Sequence, residues 1–349
     1  MKNCAGKRAS GAFFSPAAAA LALTLACQAE LGGQPSAVTA ADGASTGVSA
    51  RPLSIVFSSL RQRSAFASLY LYRHDGAGDG KIVAEFPTTF ERGDTHPSLT
   101  GDGAFCLYTS KQVGGFSPQL VLFDVAGRQT LPGPTFNAQF GARTEASLSG
   151  RGDLLAFCVW DAPGQPGGWD VMLYDRAAAS FVDLPGLNSA DNEREVTISG
   201  EGRFLAFVSD RPGSLGLSDI YLYDRDAKQC VPLPGVNSPH RELNPALSHD
   251  GRLLAFVSDR PGGRGGKDVY VADRQTGEVV APAGLNSSAH EQTPTFSPDG
   301  LFLAFVTERV SGAGERDVYL YDRSRGQLLA TPGLNSAAED FDPAISWAP

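Results

Sequence analysis

Clustered positive charge is missing from this chain. Lys and Arg number 29 against 38 Asp and Glu, the formal charge is −9, and no basic run occurs. Nucleic acid and anionic membrane surfaces are bound through such clusters, so neither is expected as a direct partner. Long apolar segments with a helical repeat are absent as well, and Met (2) and Trp (3) are scarce. Gly (40) and Pro (23) are plentiful, while 42% hydrophobic residues suffice for a core. That balance points to an acidic, turn-rich, all-β protein. Cysteine is sparse, and Cys106, Cys158 and Cys230 each lie in an apolar β segment. They read as small core residues rather than a disulfide framework, and their redox state is left open.

The N-terminus has the layout of a targeting signal. Lys2, Lys7 and Arg8 precede an apolar stretch, Gly11 to Ala26, that is too short to span a bilayer. It ends Leu23-Thr24-Leu25-Ala26-Cys27, which resembles the lipobox of bacterial lipoproteins. The resemblance implies acylation of Cys27 as the first mature residue, and Gln28 after it resembles outer-membrane sorting. A plain secretory signal with an incidental Cys is the alternative. Either way residues 1–26 are a signal peptide, and their loss takes the net charge from −9 to −12. The expected location is the periplasm or cell envelope, with membrane contact only through the lipid. Residues 27–52 are Ala, Gly, Ser, Thr and Pro with almost no large apolar side chain, and read as a flexible tether. Gly43-Ala44-Ser45-Thr46-Gly47 within it matches G-x-S-x-G, but no strand precedes it and no helix follows, so it is no nucleophile elbow.

Residues 53–349 are one repeat. Aromatic anchors Phe57, Tyr108, Phe157, Phe207, Phe256 and Phe305 recur every 49–51 residues, each followed by a second apolar strand such as Ile220-Tyr221-Leu222-Tyr223. A period near 50 built of short strands predicts a β-propeller. In the fifth unit the spacing predicts strand A at Pro245–Ser248, B at Leu253–Ser258, C at Val269–Ala272 and D at Glu278–Pro282, with Asp250-Gly251 and Thr276-Gly277 as turns. The first unit lacks its strand A, and Asp342-Pro343-Ala344-Ile345-Ser346 matches Asn244-Pro245-Ala246-Leu247-Ser248. Six four-stranded blades, closed by the C-terminal strand joining the N-terminal blade, are therefore expected. Phe296-Ser297-Pro298-Asp299-Gly300 through Phe305, followed by Asp317-Val318-Tyr319-Leu320-Tyr321-Asp322, resembles the WD-like repeat of the TolB-type six-bladed propeller. That resemblance covers the propeller module only.

Two charged columns share an offset of 18 residues. Glu193 precedes Arg211, Glu242 precedes Arg260, Glu291 precedes Arg309, and Arg143 precedes Asp161 with both signs reversed. Asp340 and Arg61 complete the set across the termini. A paired reversal is natural if the columns form an ion pair within each blade, expected here as exposed rim pairs of small energetic weight. A third column, His96, Glu145, Glu195, Asn244, Thr293 and Asp342, lies just before strand A, should surround the channel mouth, and varies in type as an asymmetric ligand site would. Polar satisfaction of strand ends and channel water is the bland alternative. Trp160 and Trp169 flank a loop that reads as a contact surface or as packing over the rim.

No cofactor is expected: His96, Glu145, Glu195 and Asp342 carry ligand-type atoms for a divalent cation, but no local ligand spacing supports one. No catalytic set is recognisable. The reading is a monomeric, non-enzymatic, lipid-anchored interaction scaffold that binds envelope proteins. The alternative is carbohydrate or small-ligand binding at the channel mouth, with metal-dependent lyase chemistry in some propellers that resemble this one.

Overall fold

A segment such as Leu253-Leu254-Ala255-Phe256-Val257, apolar at every position, needs cover on both faces. A ring of stacked blades supplies it. The computed structural model describes residues 51–62, 66–76, 78–87, 92–112, 118–131 and 143–349. The signal peptide, Cys27, the Gly43–Gly47 motif and the tether up to residue 50 lie outside the described residues.

Strands β1 (Leu53–Ser59), β2 (Ser68–His74) and β3 (Gly80–Glu85) belong to blade 1. Blade 2 is β4 (Arg92–Leu99), β5 (Phe105–Gln112), β6 (Gln119–Asp124) and β7 (Gln129–Thr130). Blade 3 is β8 (Arg143–Leu148), β9 (Leu154–Trp160), β10 (Trp169–Asp175) and β11 (Ser180–Phe181). Blade 4 is β12 (Glu193–Ile198), β13 (Phe204–Ser209), β14 (Asp219–Asp224) and β15 (Gln229–Val231). Blade 5 is β16 (Glu242–Leu247), β17 (Leu253–Ser258), β18 (Asp268–Asp273) and β19 (Glu278–Val280). Blade 6 is β20 (Glu291–Phe296), β21 (Phe302–Thr307), β22 (Asp317–Asp322) and β23 (Gln327–Leu329). Finally β24 (Asp340–Trp347) pairs antiparallel with β1, Leu53 opposite Trp347, and becomes the inner strand of blade 1. Six four-stranded antiparallel sheets result, and no helix occurs among the described residues.

Six apolar cores lie between consecutive blades, and the pleat of each second strand feeds two of them. Leu205 and Phe207 pack toward blade 3, while Ala206 and Val208 pack toward blade 5. Leu303 and Phe305 likewise serve the junction with blade 5, and Ala304 and Val306 the junction with blade 1. The A–B turns close on glycines with positive φ, Gly251 (67°) and Gly300 (69°) among them, a backbone that a Cβ would strain.

Several boundaries of the fifth unit differ from the spacing-based expectation by one or two residues, and by three at the start of strand A. Strand A begins three residues earlier, at Glu242 rather than Pro245 in blade 5. The reason is a bulge: the register of β16 on β17 shifts between Leu243 and Ala246, and Asn244 takes a φ of +47°. Glu242-Leu243-Asn244, with a polar residue on each side of a single Leu, therefore looks like a loop in sequence while still carrying the ladder.

Candidate functional site: the channel mouth

The bulge recurs in every inner strand and always on the same column. His96, Glu145, Glu195, Asn244, Thr293 and Asp342 have φ between 43° and 54°. Left-handed backbone is uncommon for such side chains, Thr above all, and costs free energy at each site. It turns all six inward, where they line one end of a central cavity of about 250 Å³. They lie inside strand A rather than before it.

The column is linked around part of the axis, four of its six side chains accepting from the backbone N–H of their counterparts on the next blade. Glu145 Oε2 accepts from Glu195 N (2.5 Å), Glu195 Oε2 from Asn244 N (2.5 Å), Asn244 Oδ1 from Thr293 N (3.4 Å), and Asp342 Oδ2 from His96 N (3.4 Å). His96 Nε2 stands 3.8 Å from Asp342 Oδ2. Thr293 Oγ1 is buried and has no hydrogen-bond partner. Three carboxylates and no Lys or Arg appear among the described lining residues, so the mouth is electronegative. No group of three or more metal-ligand side chains is assembled among the described residues.

Burial, and after it the neighbouring Glu145 carboxylate, push the Glu195 carboxyl up to about 7 from an ordinary 4.5. The folded chain then holds more protons than the unfolded chain between those values, so stability falls as pH rises through the window. The expected size is at most roughly 3 kcal/mol. Urea unfolding from pH 4 to 8 should show this decline in the wild type and a correspondingly flatter profile in Glu195→Gln. Parallel profiles would show that Glu195 is not the titrating group.

The opposite end of the channel carries a feature absent from the sequence reading. The A–B turns carry Gly150 and Gly200 where blade 5 carries His249, and a Cβ on Gly200 would sit 1.9 Å from His249 Nδ1. The imidazole occupies the room that the glycines leave, and backbone bonds link the turns, from Gly101 N to Gly150 O and from Gly150 N to Gly200 O (2.8 Å each). The signal was available as a lone His among glycines at one repeat position.

The charged columns lie behind the mouth. Arg211 Nη2 is 3.0 Å from Glu193 Oε1, Arg260 Nη2 2.9 Å from Glu242, Arg309 Nη2 3.3 Å from Glu291 and Arg61 Nη2 2.8 Å from Asp340. The acid opens strand A and the Arg follows strand B of the same sheet. These are not the exposed pairs that the sequence suggested: the carboxylate side chains are 0% exposed. D–A loops and aromatic rings cover them. Glu193 also accepts from Ser189 N (2.9 Å), Ser189 Oγ (2.6 Å) and Ser209 Oγ (2.8 Å). Arg211 lies over Tyr221 at 4.5 Å and donates to the Leu187 carbonyl (2.7 Å). Asp161 is exposed, and the side chain of Arg143 lies outside the described residues.

A companion motif was passed over in the sequence. Asn188, Asn237, Asn286 and Asn335 each bracket the residue after the first Asp of a third strand, as where Asn286 Oδ1 accepts from Val269 N and Nδ2 donates to Val269 O, both at 2.9 Å. Its signal is the Asn-Ser that recurs five residues before the acidic column. Trp160 and Trp169 are cross-strand partners with rings 5.7 Å apart, edge to face. Trp160 is 49% exposed, whereas Trp169 packs on the core between blades 3 and 4. Cys106 and Cys158 are fully buried, and burial raises both thiols far above their ordinary range.

A ring of six four-stranded blades with an inward-turned polar column defines a propeller with an open channel mouth. Its fold is that of the TolB-like propellers. The chain superposes on TolB from Acinetobacter baumannii with a TM-score of 0.59 and 20% identity, over 86% of this chain and 67% of that one. For a TolB-type structure from Agrobacterium tumefaciens the values are 0.54 and 18%, over 86% and 99%. A chain of the nidogen/laminin complex gives 0.56 at 10% identity, over 84% and 98%. No family model matches the sequence, and no curated protein matches it.

Proposed function

We propose that this protein is a non-enzymatic interaction module of the bacterial cell envelope, secreted and anchored through Cys27, whose channel mouth receives a cationic group of a protein partner. The observation that carries this reading is the mouth itself: Glu145, Glu195 and Asp342 converge on one cavity with no Lys or Arg among its described lining residues. Each carboxylate is held by a bulge that the strand would not adopt without constraint. A buried electronegative cavity favours an ammonium or guanidinium group and disfavours an acidic sugar. Its volume of about 250 Å³ falls below the ~300–1,000 Å³ of common small-molecule sites and suits one inserted side chain or chain terminus. The chain also enters the propeller at the far end of the channel, where Arg51 lies over Trp347 at 5.0 Å, so the mouth is on the other face.

The test is a crosslinked pull-down from envelope extract with the full secreted chain against Glu145→Gln/Glu195→Gln. A specific protein captured by the wild type and reduced about tenfold or more by the double variant is the expected outcome. Identical capture profiles would remove the mouth from partner binding and send the search to glycans.

A further inference from the structure

The B–C loops of blades 3 to 6 are built on one rigid frame. The Asp at or next to the start of each of these third strands holds the loop by its N–H groups: Asp219 accepts from Leu215 N (2.6 Å) and Gly216 N (3.1 Å), and Asp268 from Arg264 N (2.9 Å) and Gly265 N (3.2 Å). Asp317 holds Gly314 N (3.2 Å) and Asp170 holds Gly167 N (3.3 Å) in the same way. The loop then packs on the neighbouring D–A loop through that glycine. A Cβ on Gly216 would stand 1.8 Å from the His240 carbonyl oxygen, and one on Gly265 1.8 Å from that of Ala289. Backbone carbonyls cannot give way as a flexible side-chain end can, so glycine is required.

On this constant frame the two residues flanking the glycine differ from blade to blade. They are Pro166 and Gly168, Leu215 and Leu217, Arg264 and Gly266, and Ala313 and Glu315. Blade 4 alone shows two large apolar side chains, and Leu215 and Leu217 are 66% and 69% exposed. Single exposed apolar residues are ordinary, but two on one preorganised loop form a prong whose ordering cost is already met. Beside it stands positive charge. Ser218, next after Leu217, bridges to Arg241, and Arg241 is exposed with no ion-pair partner among the described residues. Arg264, exposed and likewise without an ion pair there, holds in blade 5 the position that Leu215 holds in blade 4. Unpaired cations beside paired leucines contrast with a chain whose net charge is −9.

We infer that the B–C loop of blade 4, with Arg241 beside it and Arg264 on the corresponding loop of the next blade, is a docking crest for a protein segment that presents apolar side chains flanked by carboxylates. This site is separate from the channel mouth and does not rest on the function proposed for it. Its chemistry is the converse: apolar insertion with cations at the edge, rather than a cation entering an acidic cavity.

Fluorescent peptides carrying a Leu pair flanked by Glu, Gln or Lys test the assignment by anisotropy against the full secreted chain. The Glu-flanked peptide should bind tightest. It should weaken about tenfold or more in Leu215→Ser/Leu217→Ser and about threefold to tenfold in Arg241→Gln, with the latter effect shrinking in high salt. Both leucines are solvent-exposed, so an unchanged thermal midpoint is expected and excludes misfolding as the cause. Equal or tighter binding of the Lys-flanked peptide would overturn the inference, as would undiminished binding by the double leucine variant. Leucine-dependent sedimentation with phosphatidylcholine and phosphatidylglycerol vesicles, without peptide binding, would overturn it in favour of a lipid surface.

Discussion

Replacing Arg211 by Met should lower the unfolding free energy by about 3 kcal/mol, the lower end of the range for stripping one partner from a buried ion pair. Glu193 is 0% exposed and would keep its bonds from Ser189 and Ser209 while losing the one cation paired with it among the described residues. The Leu187 carbonyl would lose its guanidinium donor in the same step. Those surviving serine donors are why the loss stays near the low end rather than approaching ~5 kcal/mol. Arg194 supplies the control, since its pair with Asp210 is 3.5 Å long with both side chains partly exposed (45% and 33%). Arg194→Met should cost less than about 1 kcal/mol. Urea unfolding of the two variants side by side reads the difference. Equal losses would mean that the buried columns carry no more stability than surface pairs do.

Removing residues 340–349 should have a larger effect: loss of a cooperative native state and aggregation of the truncated chain. The segment is the whole of β24, which covers β1 along Leu53 to Ser59. Its removal bares a fully buried apolar strand as an open edge, the arrangement most prone to pairing with other chains. Ile345, Phe341 and Trp347 would leave the core between blades 6 and 1, and Arg61 would lose Asp340. Because only strand pairing and packing join this piece to its sheet, a synthetic peptide of residues 338–349 added during refolding should restore a monomer in part. A truncated chain that stays monomeric with an unshifted melting temperature would show that closure is dispensable.

The two predictions draw on different levels of information. Closure was legible from the sequence because a repeat makes its own gaps visible: blade 1 lacks a strand A, and the last residues supply one in the same Asn/Asp-Pro-Ala-(Leu/Ile)-Ser pattern. The partners Glu193 and Arg211 were legible because an 18-residue offset across one hairpin brings the same two positions together in every blade. Their burial was not, since the Ser189 loop binds Glu193 and the Phe207 and Tyr221 rings lie against Arg211 only as the blade folds around the pair.

By itself the sequence determined the repeat length, the number of blades, the turns and the charged columns, because each depends on contacts within about 50 residues that recur in register. The sequence already led to the expectation that the third column surrounds the channel mouth, but only the tertiary structure decided how its side chains come to face the axis. A one-residue bulge with positive φ reverses the pleat at His96, Glu145, Glu195, Asn244, Thr293 and Asp342, and no residue type along that column announces it. The bonds that cross from blade to blade, and the imidazole of His249 lying over two glycines, exist only once residues some 50 and 100 positions apart meet around one axis. Local chemistry wrote the blade, and closure of the ring made its centre a site.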